Sequence, residues 1–316
     1  MTQDTTLQNP LLPDGVRPVV TIGNFDGTHL GHQTIFKQVI DSARRRGTMS
    51  LALTFDPHPV VHFGRKEPGT FLINNLQQRL ELIKSHGIDI PMALPFRKEL
   101  FSLSPQAFVE EIVHKRLRAC EVWVGYDFNF GKGRSGTTED LKRHALEHGI
   151  EPHIHEAVCV TETVVSSTRV RKTLAAGHME EAASLMGRPH TLRGEVEHGY
   201  KRGRTLGFPT ANIVPTAGMM IPRGVYVSLV RVLGQEGAPM AAITNVGVRP
   251  TAQQDAVANA ETHVLEGLAP GADLYGQSLD VSLLSFVRPE KKFGSLDELK
   301  AQIAADVAVA AKAHGL

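Results

Sequence analysis

The sequence has little cysteine and almost no net charge. Its 316 residues include two cysteines, Cys120 and Cys159, which form neither a CxxC pair nor the larger set that a disulfide framework needs. Lys plus Arg number 34 and Asp plus Glu 33, so a formal charge of +1 gives no general attraction to nucleic acid or to an anionic membrane. We therefore expect a reducing compartment, and any phosphate must be bound at local sites.

Long hydrophobic runs are also missing. The first fifteen residues contain no Lys or Arg and no apolar stretch of signal-peptide length. No later run approaches the ~18 apolar residues that a membrane span needs. These absences predict a cytoplasmic protein without nucleic-acid or membrane partners. A homo-oligomer is compatible with the sequence but is not indicated by it.

The composition is that of a folded globular protein, with 41% hydrophobic and 21% charged residues. At roughly 100 to 200 residues per domain, the length predicts two domains. We place a polar tail at residues 1–17, a first domain at 18–186 and a second domain at 187–316.

The first domain alternates strand and helix patterns. The β-branched run VVTIG is typical of a buried parallel strand, and Ile35 with Val39 and Phe36 with Ile40 mark one face of the helix that follows. The pattern repeats with strands SLALTF, PMALPF and EVWVGYDF and helices NLQQRLELIKSHG, SPQAFVEEIVHKRLRA and TTEDLKRHALEHG. An α/β fold with an open parallel sheet and helices on both faces is predicted. One last helix is predicted over residues 166–187.

The second domain has the pattern of antiparallel β structure. Six short strand-like segments, separated by Gly, Pro and Asp turns, predict a six-stranded β-barrel. They are TLRGEVEHG, ANIVP, GVYVSLVRVLG, APMAAITNVG, AETHVLEG and SLDVSLLSFV. A terminal helix is predicted from Ser295, with Glu298 completing a possible capping box.

The loop after the first strand, GNFDGTHLGHQ, suits a phosphate ligand. Its glycines permit close approach of the backbone, and the start of the helix offers free N–H groups to an anion. His29 and His32 are three residues apart and project to one side, where two imidazoles can stabilise charge at a phosphorus centre under attack. The alternatives for such an HxxH pair are a solvent-exposed helix face or a zinc-binding pair.

The segment F-D-G-T-H-L-G-H resembles the H-x-G-H signature of the nucleotidyltransferase superfamily, in the form found in bacterial bifunctional riboflavin kinase/FAD synthetases. The second family signature, a serine-rich turn opening a helix, is matched by V-S-S-T-R-V-R from Val165 to Arg171. The resemblance implies a Rossmann-like FMN adenylyltransferase domain with catalytic His29, His32 and Arg171. It also implies ATP binding by Gly23, Phe25, Gly31, Ser167 and Thr168.

Two further segments match the family and line its adenylylation pocket. They are F-D-P-H-P after the second strand and G-Y-D-F-N-F-G after the fourth. The resemblance makes Phe55, Asp56, Asp127 and Phe128 flavin-binding candidates, although Asp127 stands where some members have Asn. Phe55, Phe128 and Phe130 either stack on flavin or belong to the core.

Two patterns in the first domain compete with this interpretation. GKGRSG, residues 131–136, has the form GxGxxG of a dinucleotide fingerprint, but a loop carrying Lys132 and Arg134 over phosphates fits better, because the fingerprint normally opens the first βαβ unit. His153 and His155, with Cys159 nearby, suggest metal; strand alternation more simply places both histidines on one exposed face.

The second domain has no G-x-x-x-x-G-K-[ST] motif, so ATP would be bound without a P-loop. The segment YKRGRTLGFPTAN offers a basic glycine-rich loop instead, with Gly203, Arg204 and Gly207 as the nucleotide-binding candidates. Thr210 and Asn212 face the same way on an extended segment, and their hard oxygens suit Mg²⁺. G-x-P-T-A-N resembles the hallmark of the riboflavin kinase barrel.

The resemblance continues through T-N-V-G-V-R-P-T, E-T-H-V-L-E, D-L-Y-G and F-V-R-P-E-K-K-F, and so covers about residues 18–310. It makes Glu261 the base that takes the proton of the riboflavin 5′-hydroxyl, a role for which a positioned carboxylate is suited. The alternative for Glu261 is a solvent-facing strand residue.

The resemblance implies an enzyme with two activities and small-molecule partners. Its riboflavin kinase activity (ATP:riboflavin 5′-phosphotransferase) would convert riboflavin and Mg-ATP to FMN. Its FMN adenylyltransferase activity would then convert FMN and a second ATP to FAD and pyrophosphate. Two alternatives stay open: a nucleotidyltransferase with another acceptor, such as a pantetheine phosphate or nicotinate mononucleotide, and a non-catalytic flavin-binding protein.

Overall fold

The structure, a computed structural model, describes residues 12–160, 162–197, 207–250, 256–268 and 274–316. Two compact units share the chain. The first comprises Met1–Lys66 and Leu76–Ser166, and the second comprises Glu67–Asn75 and Ser167–Leu316. The last boundary between the two packed units falls after Ser166, whereas the domain boundary predicted from the sequence pattern falls after residue 186.

The sheet of the first unit has five parallel strands in the order β3-β2-β1-β4-β5. The strands are β1 Val19–Ile22, β2 Ser50–Asp56, β3 Ile90–Pro95, β4 Glu121–Gly125 and β5 Glu151–His155. The predicted open parallel sheet is confirmed. Because the strand order reverses between β1 and β4, the carboxyl ends of these two strands flank the position where such sheets bind ligands.

Helices cover both faces of this sheet, as predicted. Val19 packs in the core cluster that contains α1, whereas Val20 and Ile22 pack in the cluster on the other face. In chain order the first seven helices, of which α3 belongs to the second unit, are α1 Leu30–Arg46, α2 Pro59–His62, α3 Pro68–Phe71, α4 Leu76–Ser85, α5 Lys98–Phe101, α6 Pro105–Phe108 and α7 Thr138–Glu147. A π-helix, Val109–Arg116, continues α6, and a small hairpin is formed by β6 Cys159–Val160 and β7 Thr163–Val164.

The second unit contains a closed six-stranded barrel in the order β10-β11-β12-β9-β8-β13, which confirms the predicted barrel. Its neighbouring strands are antiparallel. They are β8 His190–Glu197, β9 Ala211–Ile213, β10 Gly224–Val232, β11 Met240–Pro250, β12 Ala256–Val264 and β13 Ser278–Pro289.

The single helix predicted over residues 166–187 is wrong, because two helices occupy this range. They are α8 Ser167–Ala175 and α9 Met179–Met186. Gly177 separates them with φ of +79°, a left-handed conformation that glycine adopts at little cost and that ends a helix.

The predicted terminal helix is confirmed as α10, Leu296–His314. The Ser295 side chain caps it by accepting from the Glu298 N–H at 3.2 Å. The Glu298 carboxylate accepts from the Gly294 N–H instead of from that of Ser295. Among the described residues, no helix combines the length and hydropathy that crossing a membrane requires.

Candidate active sites

The loop that joins β1 to α1 makes a tight, mostly buried turn. Phe25 and Thr28 have positive φ angles of 49° and 39°, and Gly27 has φ of 83°. The Thr28 N–H and hydroxyl both donate to the Phe25 carbonyl at 3.1 Å, which closes the turn. The turn reverses the direction of the chain, and α1 begins at the residue after His29.

This turn brings His29 and His32 together at the start of α1. Their rings stack with centroids 3.7 Å apart and planes 21° from parallel. The ring of Phe25 meets the His32 ring edge-on, with centroids 5.2 Å apart. A buried aromatic side chain therefore packs against the histidine pair. The two imidazoles form one compact unit, as the three-residue spacing predicts.

Gly23 and Gly31 are needed here for space. A Cβ atom on Gly23 would lie 2.8 Å from the Phe25 ring, and one on Gly31 would lie 3.2 Å from the His29 ring. Both distances are shorter than ordinary van der Waals contact. These two glycines therefore permit the packing of Phe25 and His29, and their role in ATP binding stays a prediction.

Arg79 of α4 was missed by the sequence analysis and joins two motif loops. Its side chain is 1% exposed and donates to the Asn24 carbonyl and to the Phe55 carbonyl, both at 3.1 Å. Burial lowers the pKa of its guanidinium, and the nearby carboxylates of Asp26 and Asp56 oppose this effect. A signal existed: Arg79 shares a helix face with Leu76 and Ile83, where an arginine is out of place.

The predicted flavin candidates divide into buried and exposed residues. Phe55 lies in the core against Phe96, whereas Asp56 is half-exposed at 4.0 Å from Arg79. Asp127 is exposed, and Phe128 is half-buried and stacks on Phe130 at 5.4 Å. Phe130 itself is a core residue.

An aromatic cluster that the sequence analysis did not identify lies beside the carboxyl ends of β2 and β3. Its members are His62, Phe63, Phe96 and Phe101, whose ring centroids are 5.2 to 5.9 Å apart. Phe63 is 50% exposed, which is unusual for so large an apolar side chain. The available signal was the concentration of aromatic residues at or shortly after the ends of two predicted strands.

Ser167, Thr168 and Arg171 fold with the second unit on α8. Arg171 donates from Nε to the Phe71 carbonyl at 2.9 Å, and its guanidinium lies 4.1 Å from the centre of the Phe71 ring. The catalytic and ATP-binding roles of these three residues stay predictions.

The GKGRSG segment does not have the geometry of a dinucleotide fingerprint. A short 3₁₀ turn spans Lys132–Arg134, Phe130 and Gly136 pair across it, and α7 begins only at Thr138. Lys132 and Arg134 are exposed on this turn. The turn thus presents two cations to solvent, and no α-helix starts at its glycines.

His153 and His155 share one face of β5, as expected, but the expectation that this face is exposed is wrong. Both are half-buried, and His153 stacks on Trp123 with centroids 4.2 Å apart. Its Nε2 atom also lies near the carboxylates of Glu121 and Glu151, in a group of metal-ligand types. Arg46 already forms ion pairs with both glutamates, so one of their two negative charges is compensated by this residue.

In the second unit, a cavity of about 610 Å³ brings together Thr210, Asn212 and Glu261. Strand register explains this, because Glu261 on β12 lies directly opposite Asn212 on β9 and Asn245 on β11. Asn245 also lines the cavity and was not singled out by the sequence analysis. The Glu261 carboxylate accepts from the Asn259 side chain at 3.2 Å, and Glu261 itself is half-buried.

The approach to this polar group is shaped by the segment before β9. Gly207 is exposed with φ of +89°. The Pro209 carbonyl lies 2.8 Å from His263 Nδ1, and the Phe208 ring meets the His263 ring edge-on at 5.6 Å. The predicted nucleotide-loop residues Gly203 and Arg204 lie outside the described residues.

The same cavity also has an apolar lining. It is formed by two barrel residues, by Phe293 and by three residues of α10, which are together Val225, Ile243, Phe293, Leu299, Ile303 and Val307. Lys291 and Lys292 also line the cavity. One cavity therefore combines a carboxylate, a hydroxyl and an amide with a wall suited to a flat apolar ring.

Comparison with known families finds two matches along the chain. Residues 14–169 match the FAD synthetase family and residues 186–314 match the riboflavin kinase family. Three curated relatives are each described as a bifunctional riboflavin kinase/FMN adenylyltransferase. The protein of Escherichia coli K12 is 37% identical over 94% of this chain and 93% of its own. Those of Pseudomonas fluorescens and Listeria monocytogenes are 36% and 35% identical, each over 95% of this chain and 94% of its own.

A solved structure has the same fold over nearly the whole length. It is a crystal structure from Streptococcus pneumoniae described as a macrolide-efflux protein, with a TM-score of 0.82 and 31% identity, and the match covers 97% of each chain. The similarity extends to both units.

Proposed function

The chain belongs to the bifunctional riboflavin kinase/FMN adenylyltransferase family, and from that premise we propose how its described residues carry out the two reactions. The enzyme phosphorylates riboflavin with ATP to give FMN. It then transfers the adenylyl group of a second ATP to FMN, which gives FAD and pyrophosphate.

We propose that the cavity of the second unit is the kinase site. The observation that supports this most strongly is the meeting of Glu261, Thr210 and Asn212 in one cavity that also has an apolar lining. The apolar wall would hold the flavin ring, and Glu261 would orient the ribityl 5′-hydroxyl and accept its proton. Phosphoryl transfer then depends on positioning and charge neutralisation rather than on a covalent intermediate.

Mg²⁺ is proposed as the metal of this site, and the donor set fits it. The Thr210 hydroxyl and the Asn212 amide line the cavity beside the Glu261 carboxylate, so three hard oxygen donors are available. Bound there, the ion would neutralise phosphate charge. Thr210 and Asn212 would hold it, and Glu261 would stay available to the hydroxyl.

The adenylylation site is proposed at the carboxyl ends of the strands of the first unit, where His29 and His32 lie. The phosphate of FMN is largely ionised at neutral pH because its second pKa is about 6, so attack on ATP needs no general base. The stacked imidazoles would instead stabilise charge that develops at the α-phosphate. Gly23 and Gly31 permit the packing that holds the imidazoles in place.

The aromatic cluster of His62, Phe63, Phe96 and Phe101 is proposed as the surface that receives the FMN ring. Phe63 offers an exposed face, and Arg65 lies 5.8 Å from the Phe63 ring centre, which supports a flat anionic ligand there. In this interpretation Phe55 supports the cluster from the core through Phe96. Asp56 would complete the adjoining wall, and the buried Arg79 would support it from behind.

Incubation of the purified chain with riboflavin, ATP and Mg²⁺, followed by chromatography, tests the function as a whole. We expect FMN to appear first and FAD with pyrophosphate to follow. Removal of Mg²⁺ by a chelator should stop FMN formation. Retention of flavin without ATP turnover would indicate a binding protein, and adenylylation of an acceptor other than FMN would indicate a different nucleotidyltransferase.

A cytoplasmic location is likewise proposed, on the sequence grounds given above. Cys120 and Cys159 are both free thiols, which supports a reducing compartment.

A further inference from the structure

The terminal helix α10 closes the cavity of the second unit but buries few of its own side chains. Of its 19 residues only Asp306 and Ala310 are buried. Leu299, Ile303 and Val307, which follow each other at four-residue spacing and line the cavity, are only half-buried. Apolar burial alone therefore attaches this helix weakly to the barrel.

The buried polar side chain of α10, Asp306, forms an ion pair with Arg288 of the barrel. Arg288 Nε donates to Asp306 Oδ1 at 2.9 Å, and Arg288 Nη2 donates to Asp306 Oδ2 at 2.6 Å. Gln302 also donates to Asp306 Oδ1 at 2.9 Å. The Asp306 side chain is 7% exposed and that of Arg288 is 21% exposed. Two-point geometry with little solvent makes this the type of pair whose rupture is costly.

The pair also lies at the cavity itself. Arg288, near the end of β13, is opposite Val225 of β10 in the sheet register, and Val225 is part of the apolar wall. Asp306 is adjacent in sequence to Val307, another wall residue, and both members of the pair line the cavity. We name Arg288 with Asp306 the helix clasp.

We propose that the helix clasp is a positioning pair that holds α10 as one wall of the riboflavin pocket and thereby sets the affinity for the flavin ring. This rests on the proposed kinase function of the cavity. The polar residues Thr210, Asn212 and Glu261 lie on or beside β9 and β12, and none of them is on α10. Loosening the helix should therefore weaken riboflavin binding much more than ATP binding.

The test compares Asp306→Asn with wild type in riboflavin phosphorylation. Asparagine keeps the volume and removes the charge that pairs with Arg288. We expect the KM for riboflavin to rise by about tenfold or more, with a KM for ATP within about twofold of wild type. The rate of FAD formation from supplied FMN should be unchanged. Quenching of riboflavin fluorescence gives the affinity directly and should weaken by the same factor.

A matched control exists in the same barrel. Arg193 on β8 binds Asp280 on β13 in the same two-point manner at 2.6 and 2.7 Å, and neither residue lines the cavity. Asp280→Asn should leave the KM for riboflavin near its wild-type value. An equal rise in both variants would overturn the proposal, because it would reduce the helix clasp to a general contribution to barrel stability.

A second variant covers the case in which Asp306→Asn does not fold. Arg288→Lys keeps the positive charge but loses the planar guanidinium that makes two hydrogen bonds. We therefore expect the KM for riboflavin to rise, but by less than in Asp306→Asn. A folded Arg288→Lys or Asp306→Asn protein with unchanged riboflavin affinity contradicts the proposal. If wild type itself forms no FMN, the assignment of the cavity as the kinase site fails instead, so the two failures are distinguishable.

Discussion

At the scale of single residues, Arg79 shows how a buried cation can support a site that it does not enter. It connects the loop after β1 with the end of β2 through two backbone carbonyls, at Asn24 and at Phe55. Those two stretches carry the histidine motif and the F-D-P-H-P motif. Their relative position therefore depends on one planar, five-donor side chain that lysine cannot imitate.

Replacing Arg79 tests this positioning role. Arg79→Met would leave both carbonyls without their donor, at a cost of about 1–3 kcal/mol for each group left unsatisfied. We expect a lower free energy of unfolding in urea and at least tenfold slower adenylylation of FMN, with riboflavin phosphorylation retained. Arg143→Met, at an exposed arginine of α7, is the matched control. Wild-type adenylylation in folded Arg79→Met protein would contradict the role.

The residue scale is also where sequence reasoning was least complete. The spacing of His29 and His32 predicted their common direction, and the pairing of Thr210 with Asn212 followed from strand alternation. Arg79, Asn245 and the cluster around Phe63 were missed, because their roles arise from contacts between segments far apart in the chain. Such contacts leave no periodicity in the sequence.

At the scale of elements, a buried carboxylate fastens α1 to the sheet. Glu121 at the start of β4 accepts from Ser42 at 2.7 Å and also from Arg46 and Trp123. Burial raises the pKa of Glu121, but the hydrogen bonds from Ser42, Trp123 and Arg46 together outweigh it and hold the pKa below its ordinary value of 4.5. The folded state therefore favours the ionised form.

This arrangement predicts acid sensitivity with a definite sign. The stability that Glu121 contributes is complete above pH 4.5, the ordinary value, and is lost as pH falls through the lower folded-state pKa. Trp123 is the single tryptophan of the chain and donates to Glu121, so its fluorescence reports the local change. Glu121→Gln should flatten the dependence of unfolding free energy on pH below 4.5. Glu139→Gln, at an exposed glutamate, should not; equal slopes in wild type and Glu121→Gln would exclude this contribution.

Element identities followed from the sequence more readily than element limits. The parallel strands and the six barrel strands were predicted because their hydrophobic patterns and turn residues are local. The break between α8 and α9 was missed, because apolar residues continue through Leu174, Met179 and Ala182 and an internal glycine costs only about 1 kcal/mol. Gly177 adopts a left-handed conformation there, and a Cβ on it would lie 3.3 Å from Pro222.

At the scale of the whole molecule, the two units are not separated by a single cut in the sequence, because the second unit contains two separate stretches of chain. Residues 67–75 pack with the second unit through backbone hydrogen bonds from Gly218 to Leu72 at 2.7 Å and from Met219 to Gly69 at 2.9 Å. Backbone bonds of this kind are independent of side-chain type, so the sequence could not predict them. The net charge of +1 agrees with the prediction that cations for phosphate binding are confined to short loops, and Lys132 and Arg134 are indeed exposed on one short turn.

The central claim is that two separate sites perform the two reactions, and paired substitutions test it most directly. His32→Ala and Glu261→Ala are each assayed for FMN formation from riboflavin and for FAD formation from supplied FMN. We predict that His32→Ala slows only FAD formation, on the order of 10²-fold or more, and that Glu261→Ala slows only FMN formation. A mixture of the two proteins should then convert riboflavin to FAD. Loss of both reactions in either folded variant would contradict the claim.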